Sequence, residues 1–204
     1  MTQYPREVRE RSVATPEQMA AGVVGEWPRK DQPIVVEEYD PAWPGRFDDF
    51  SARVKKALGD VLLGIEHVGS TSVPGLPAKP IIDIDVLVDD TANEASYLPA
   101  LEAEGWRLIL REPWWCGHRM LVDDIEELHL HVWPKDAPEP IRHRLFRDWL
   151  RTHEEDRARY AATKRRLADE TAERPGDYNL AKNEVIDQIF ERIFADSEDR
   201  PSGR

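Results

Sequence analysis

The sequence predicts an α/β fold: a mixed sheet with flanking helices, followed by a C-terminal helical segment. Three observations predict it. A run of Ile, Val and Leu from Ile81 to Val88 reads as a buried strand, although it carries two aspartates. Shorter apolar stretches bounded by Gly, Pro and acidic residues recur on both sides of it. After Pro140 the periodicity turns helical and stays so to about residue 196.

Taken in order, residues 1–33 are polar and Pro-dotted and read as a loosely attached extension, with at most a helical turn over 16–21. Ile34 to Glu38 reads as a short strand. Asp40-Pro41 reads as a helix start, cap then first helical position, for a helix ending near Leu58 at Gly59. Leu62 to Val68 is a second strand. Pro74, Gly75, Pro77 and Pro80 make 69–80 a loop before the acidic strand. Thr91 and Glu94 have capping-box spacing, which predicts a helix over 92–104. Strands are expected at 106–111, 117–122 and 128–133, antiparallel neighbours joined by short turns. Helices are expected at 141–152, 154–173 and 178–194, with a disordered tail from 197. The resulting division is an extension (1–33), an α/β domain (34–135), a helical segment (136–196) and a tail (197–204).

The 204 residues suffice to bury a core without staples. A net charge of −12 argues against a general nucleic-acid binder, whose phosphate contacts need clustered Lys and Arg. The single cysteine, Cys116, leaves no internal disulfide and is expected to be inert. No signal peptide and no apolar run long enough for a membrane span are visible, so a cytoplasmic protein is expected.

Alternation puts Asp83 and Asp85 on one face of the strand, with Ile82, Ile84 and Val86 on the other. Two residues of rise separate the aspartates by about 6.6 Å. At an effective dielectric near 20 their repulsion is about 2.5 kcal/mol, which invites a cation. Mg²⁺ and Mn²⁺ favour carboxylate oxygens and accompany phosphates. Upstream, Gly69 lets a backbone approach an anion closely, and Ser70 adds a hydroxyl. Alone, Gly-Ser is ordinary loop composition. With an Asp-x-Asp strand a dozen residues later it makes the signature of the nucleotidyltransferase fold.

The run EHVGSTSVPGLPAKPIIDIDVLV, the opening YDPAWPGRF, the later HLHV, and RDWLRTH, YAATKRRLA and AKNEVI resemble the GrpB family over about residues 34–195. That resemblance implies a nucleotidyltransferase-like mixed sheet and metal-dependent transfer of a nucleotidyl or phosphoryl group from a nucleoside triphosphate to an unknown small-molecule acceptor. It implies Asp83 and Asp85 at the metal and Gly69 and Ser70 at the phosphates. GrpB-like domains also occur fused to dephospho-coenzyme A kinase, so a non-catalytic accessory or folding-assistance role is an alternative.

Nucleotidyltransferases usually carry a third carboxylate on a neighbouring strand. Here the matching strand reads Glu127-Leu128-His129-Leu130-His131-Val132, with Glu127, His129 and His131 on one face. If that face is the acidic one, His129 or His131 completes the ligand set, or His131 acts as general base; otherwise both are polar residues on a solvated face. Imidazole ligands favour Mn²⁺ or another transition metal over Mg²⁺ and open a third reading, a different Asp/His metal enzyme on the same scaffold. Lys79 and Lys182 are the candidate phosphate-binding cations, with Lys164 and Arg119 behind them. His67 reads as a structural residue that orients the loop. Trp114, Trp115 and Trp133 read as core, with base stacking the alternative.

Overall fold

The computed structural model describes residues 4–26, 33–172 and 177–199. Its sheet has five strands: β1 (Gly64–Val68), β2 (Ile82–Val88), β3 (Arg107–Glu112), β4 (His118–Val122) and β5 (Leu128–Pro134). The spatial order is β1-β2-β5-β4-β3. β2 runs parallel to β5, and the remaining pairs are antiparallel, so the sheet is mixed as the sequence predicts.

One face of this sheet is apolar. Ile82, Ile84, Val86, Leu128, Leu130 and Val132 are all fully buried there, against Trp43, Val54 and Leu58 of α3 (Trp43–Leu58) and Leu101 of α4 (Leu98–Ala103). α3 stops at Gly59, whose φ of 50° ends the helix where a side chain would be strained. The opposite face carries the aspartates and histidines and lies under the C-terminal helices: α5 (Pro138–Thr152), α6 (Glu154–Glu170), α7 (Tyr178–Ala181) and α8 (Asn183–Asp199). Val73 and Leu76, from the loop before β2, join Leu150, Tyr160, Ile189 and Phe190 in the core beneath those helices.

Several local expectations are corrected. Residues 34–38 make only an isolated bridge, Glu37 to Ala78, because Ile34 and Val36 pack sideways against Leu167 and Tyr178. α3 starts at Trp43; Asp40 instead accepts from the Ala42 N–H at 2.8 Å in the turn before it. The Thr91–Glu94 capping box does not form. Thr91 donates to the Gly117 carbonyl at 2.6 Å, and Glu94 is held by Arg111 and Arg119 at 2.7 and 2.6 Å, so α4 begins only at Leu98. The helix expected over 154–173 ends at Glu170. The one expected over 178–194 is interrupted at Lys182 and runs on through 197–199; the rest of the expected tail lies outside the described residues.

The extension is the largest correction. α1 (Arg6–Arg9) and α2 (Pro16–Gly22) dock on the body of the protein. Val8 is 1% exposed in the core of the helical segment, and its carbonyl accepts from the buried Arg142 at 2.6 Å. Arg11 forms a bidentate pair with Asp187 at 3.0 and 3.1 Å. A polar composition hid one well-placed apolar residue and a set of ion pairs. Residues 27–32 of the expected extension lie outside the described residues.

Candidate metal and phosphate site

The register between β2 and β5 sets Asp83 beside His129 and Asp85 beside His131. Both imidazoles therefore stand on the acidic face, because Leu128, Leu130 and Val132 take the apolar one. His129 Nδ1 lies 3.3 Å, and His131 Nε2 3.7 Å, from Asp83 Oδ1. The three ligand atoms fall within 4.8 Å of one another. Metal–nitrogen and metal–oxygen bonds near 2.1 Å would hold such atoms about 3–4 Å apart, so the spacing fits one cation.

Asp85 is engaged elsewhere. It is 1% exposed and accepts from the Trp133 indole N–H at 2.8 Å. His143 Nδ1, on α5, lies 2.9 Å from its Oδ2. The two carboxylates thus share a face, but each has its own partners, which relieves the repulsion expected of a bare pair.

Outer hydrogen bonds orient both ligand imidazoles. His129 Nε2 meets Glu126 at 3.2 Å. His131 Nδ1 meets His118 Nε2 at 2.9 Å, and His118 Nδ1 meets Glu112 at 2.7 Å. Such partners of a ligating histidine's second nitrogen fix the ring and its tautomer. Sequence reasoning missed His118 and His143. His143 had a signal, since it stands at helical spacing with Arg147 and Arg151; His118 had none before the strand register was known.

Gly69 sits against the acidic strand with φ at 68°. A Cβ there would come within 2.1 Å of Asp83 Oδ2. The glycine that sequence reasoning assigned to phosphate approach is thus also demanded by the carboxylate. His67 steadies this loop: its Nε2–H donates to Thr71 Oγ1 at 3.1 Å, Thr71 donates to the Ile81 carbonyl at 3.0 Å, and the ring stacks on Phe47. Burial pushes His67 down to about 4, so it stays neutral.

Gly69, Ser70, Lys79, Asp83, His129, His131 and Lys182 line one cavity of about 830 Å³, together with Tyr160, Lys164 and Tyr178. Tyr160 is buried beside Ser70, which offsets part of the rise that burial gives its phenol. Lys79 and Lys182 reach over the Tyr178 ring, 5.7 and 4.6 Å from its centroid. Lys164 donates to the Pro77 carbonyl. Arg119 is not with them: it is buried on the far face against Glu94. Trp133 is fully buried, as expected of a core residue, while Trp114 and Trp115 line the cavity.

The electrostatics suit a cation beside an anion. Burial alone would raise the Asp83 carboxyl, but hydrogen bonds and charge from His129 and His131 hold it far below the usual range. Burial disfavours a charged His129, yet Asp83 and Glu126 outweigh it and raise the imidazole. Burial keeps His118 neutral and lifts Glu112. His143 is desolvated too, but Asp85 carries it up to about 9. Burial and Lys79 depress Lys182 to about 7; burial, Lys182 and Arg165 depress Lys164 to about 6. Asp83 offsets this only in part, so the two depressed amines could take a further anion.

Comparison with known proteins places these residues in context. The family described as GrpB protein matches residues 33–192. A UPF0157 protein of Halalkalibacterium halodurans is 43% identical over 181 residues, covering 89% of this chain and 93% of that protein. The crystal structure of conserved protein GrpB from Enterococcus faecalis superposes with a TM-score of 0.73 at 31% identity, over 81% of this chain and all of that one. A dephospho-CoA kinase of Mycolicibacterium paratuberculosis is 28% identical over 159 residues, 65% of this chain but only 39% of that protein. The chain belongs to the GrpB family.

Proposed function

We propose that the protein transfers a nucleotidyl or phosphoryl group from a nucleoside triphosphate, with one divalent metal at Asp83, His129 and His131. The supporting observation is that this three-ligand cluster opens into the same cavity as Ser70, Lys79, Lys164 and Lys182. Two imidazoles and one carboxylate favour Mn²⁺ or a later transition metal over Mg²⁺. A bound metal would supply Lewis-acid polarisation of a phosphoryl oxygen.

The chain's own residues do the rest. Lys79, Lys164 and Lys182 neutralise phosphate oxygens, and the phosphate's charge in turn raises the depressed amines so that they take up protons from solution. Ser70 donates to a phosphate oxygen. Asp85 holds His143 at the cavity edge, where a charged imidazole adds a further cation. If His131 is not coordinating, its Nε2 is the base within reach of an acceptor hydroxyl.

Melting-temperature shifts test this reading, because a ligand that binds only the folded state raises the transition. Mn²⁺ alone should stabilise the protein, and a nucleoside triphosphate should add to the shift only when metal is present. No response to any triphosphate with Mg²⁺, Mn²⁺ or Zn²⁺ would refute it.

Two other readings have an observation each. The Asp/His ligand set favours a different metal enzyme on this scaffold, which would show as tightly held transition metal and indifference to triphosphates. The likeness to part of a dephospho-CoA kinase favours a supporting role, which would show as no affinity for any divalent ion.

A further inference from the structure

We propose that Glu112 and His118 are positioning residues that determine which nitrogen of His131 faces the metal, and that α2 with Val23 holds the pair in place. The inference rests on the metal reading above. As a carboxylate Glu112 can only accept, and across the 2.7 Å contact His118 Nδ1 then carries the hydrogen. His118 Nε2 must then accept, and among the described residues the group hydrogen-bonded to it is His131 Nδ1–H at 2.9 Å. That leaves a bare lone pair on His131 Nε2, the atom 3.7 Å from Asp83. Reversing the three protons would put a hydrogen on Nε2 and block coordination. His118 cannot turn away, because its ring is stacked on Trp133 with centroids 4.2 Å apart and edged by Trp115 at 4.9 Å.

Glu112 is the last residue of β3, where the chain turns toward β4, and α2 is what covers it. A Cβ on Gly22 would lie 3.1 Å from Glu112 Cγ and from the Trp114 ring, so the helix touches the relay's carboxylate end directly. Beyond Gly22, Val23 bridges to Leu110, and the Val24 N–H donates to the Ile109 carbonyl at 3.0 Å, tying the segment to β3. Thr15 and Gln18 close a capping box that starts α2 at this place. These residues precede the stretch, 33–192, that matches the GrpB family. They reach the metal site through two intermediaries, Glu112 and His118.

Titration of the full-length protein with Co²⁺, followed by visible absorption against a competing chelator, tests this without any catalytic readout. Wild type should bind Co²⁺. His118→Phe should weaken binding about 10- to 100-fold and change the spectrum, since the His131 tautomer is no longer fixed. Glu112→Gln keeps an oxygen that accepts from His118 and should lose less than Glu112→Leu, a ranking that simple loss of packing would not produce. Gly22→Leu should also weaken Co²⁺ binding, by pushing Glu112 aside. Wild-type affinity and spectrum in both Glu112→Leu and Gly22→Leu would overturn the proposal even if His118→Phe failed to fold. A wild-type protein that takes up no Co²⁺ would instead refute the metal reading, and the proposal with it.

Discussion

Replacing Gly69 by Ala should damage fold and site together, and the size of the effect follows from two separate costs. At φ 68° and ψ −173° the residue occupies a region open essentially to glycine alone, so a Cβ adds about 1–3 kcal/mol of backbone strain. The new carbon would lie 2.1 Å from Asp83 Oδ2, 2.7 Å from its Cγ and 2.8 Å from its Cβ. Because even the Asp83 Cβ is too close, rotating the carboxylate does not suffice and the strand or the loop must shift. Overpacking of that kind costs about 1–3 kcal/mol more. A total near 3 kcal/mol lowers the melting temperature by roughly 6–12 °C in a chain of this size. Urea denaturation of Gly69→Ala, Asp83→Gly and the double variant separates the terms. The clash should appear as a coupling of about 1–2 kcal/mol, and the strain should survive in the double variant. Divalent-ion stabilisation should vanish in Gly69→Ala, because Asp83 is displaced. A Gly69→Ala protein within 0.5 kcal/mol of wild type by urea denaturation, far below the roughly 1 kcal/mol minimum of either cost, and still responding to Mn²⁺, would refute the packing argument.

The His143–Asp85 pair predicts a pH dependence. The folded state raises His143 from 6.5 to about 9, so its stabilisation is fully present below pH 6.5 and lost as pH rises through 9. His143→Gln should therefore cost on the order of 2 kcal/mol at pH 6 and little at pH 10, measured as urea midpoints across that range. Lys182 predicts a proton count: with its amine depressed to about 7, triphosphate binding at pH 8 should take up protons, seen in calorimetry as a dependence on buffer ionisation heat, and Lys182→Met should reduce that uptake. Deleting residues 1–26 exposes the pocket of Val8 and removes the carbonyl that the buried Arg142 donates to, so melting should fall by the equivalent of about 2–4 kcal/mol; an unchanged transition would show that the extension adds nothing to the core.

Much of the sheet was legible because its signal is local. Ile82 to Val88 and Leu128 to Val132 alternate cleanly, and alternation alone groups Asp83 with Asp85 and His129 with His131. The parallel pairing of β2 with β5, which makes those residues neighbours, is a long-range fact that no local pattern carries. The same limit explains the errors. Thr91 and Glu94 have the spacing of a cap, but Gly117, Arg111 and Arg119 compete for them from 17 to 26 residues away. The partners of Asp85 are likewise distant, since Trp133 and His143 bond it from 48 and 58 residues away. The extension's composition is polar on average, and a single buried Val8 does not move an average.

His143, Arg147 and Arg151 follow one another by four residues along α5, and each reaches back across the chain. Arg147 donates to the His67 carbonyl and Arg151 to the Ser72 carbonyl, across 80 and 79 residues of sequence. During synthesis, β1 and β2 emerge long before these partners exist. A chain ending after β5 would hold Asp85 in its sheet with no imidazole to answer it, and the Gly69–Ser72 turn without the guanidinium groups that pin it. Loop closures of this length are slow compared with local hairpins, so docking of α5 is a late event in folding. The site consequently comes into being with the last third of the polypeptide, and a truncated or stalled chain carries its acidic residues without their cavity.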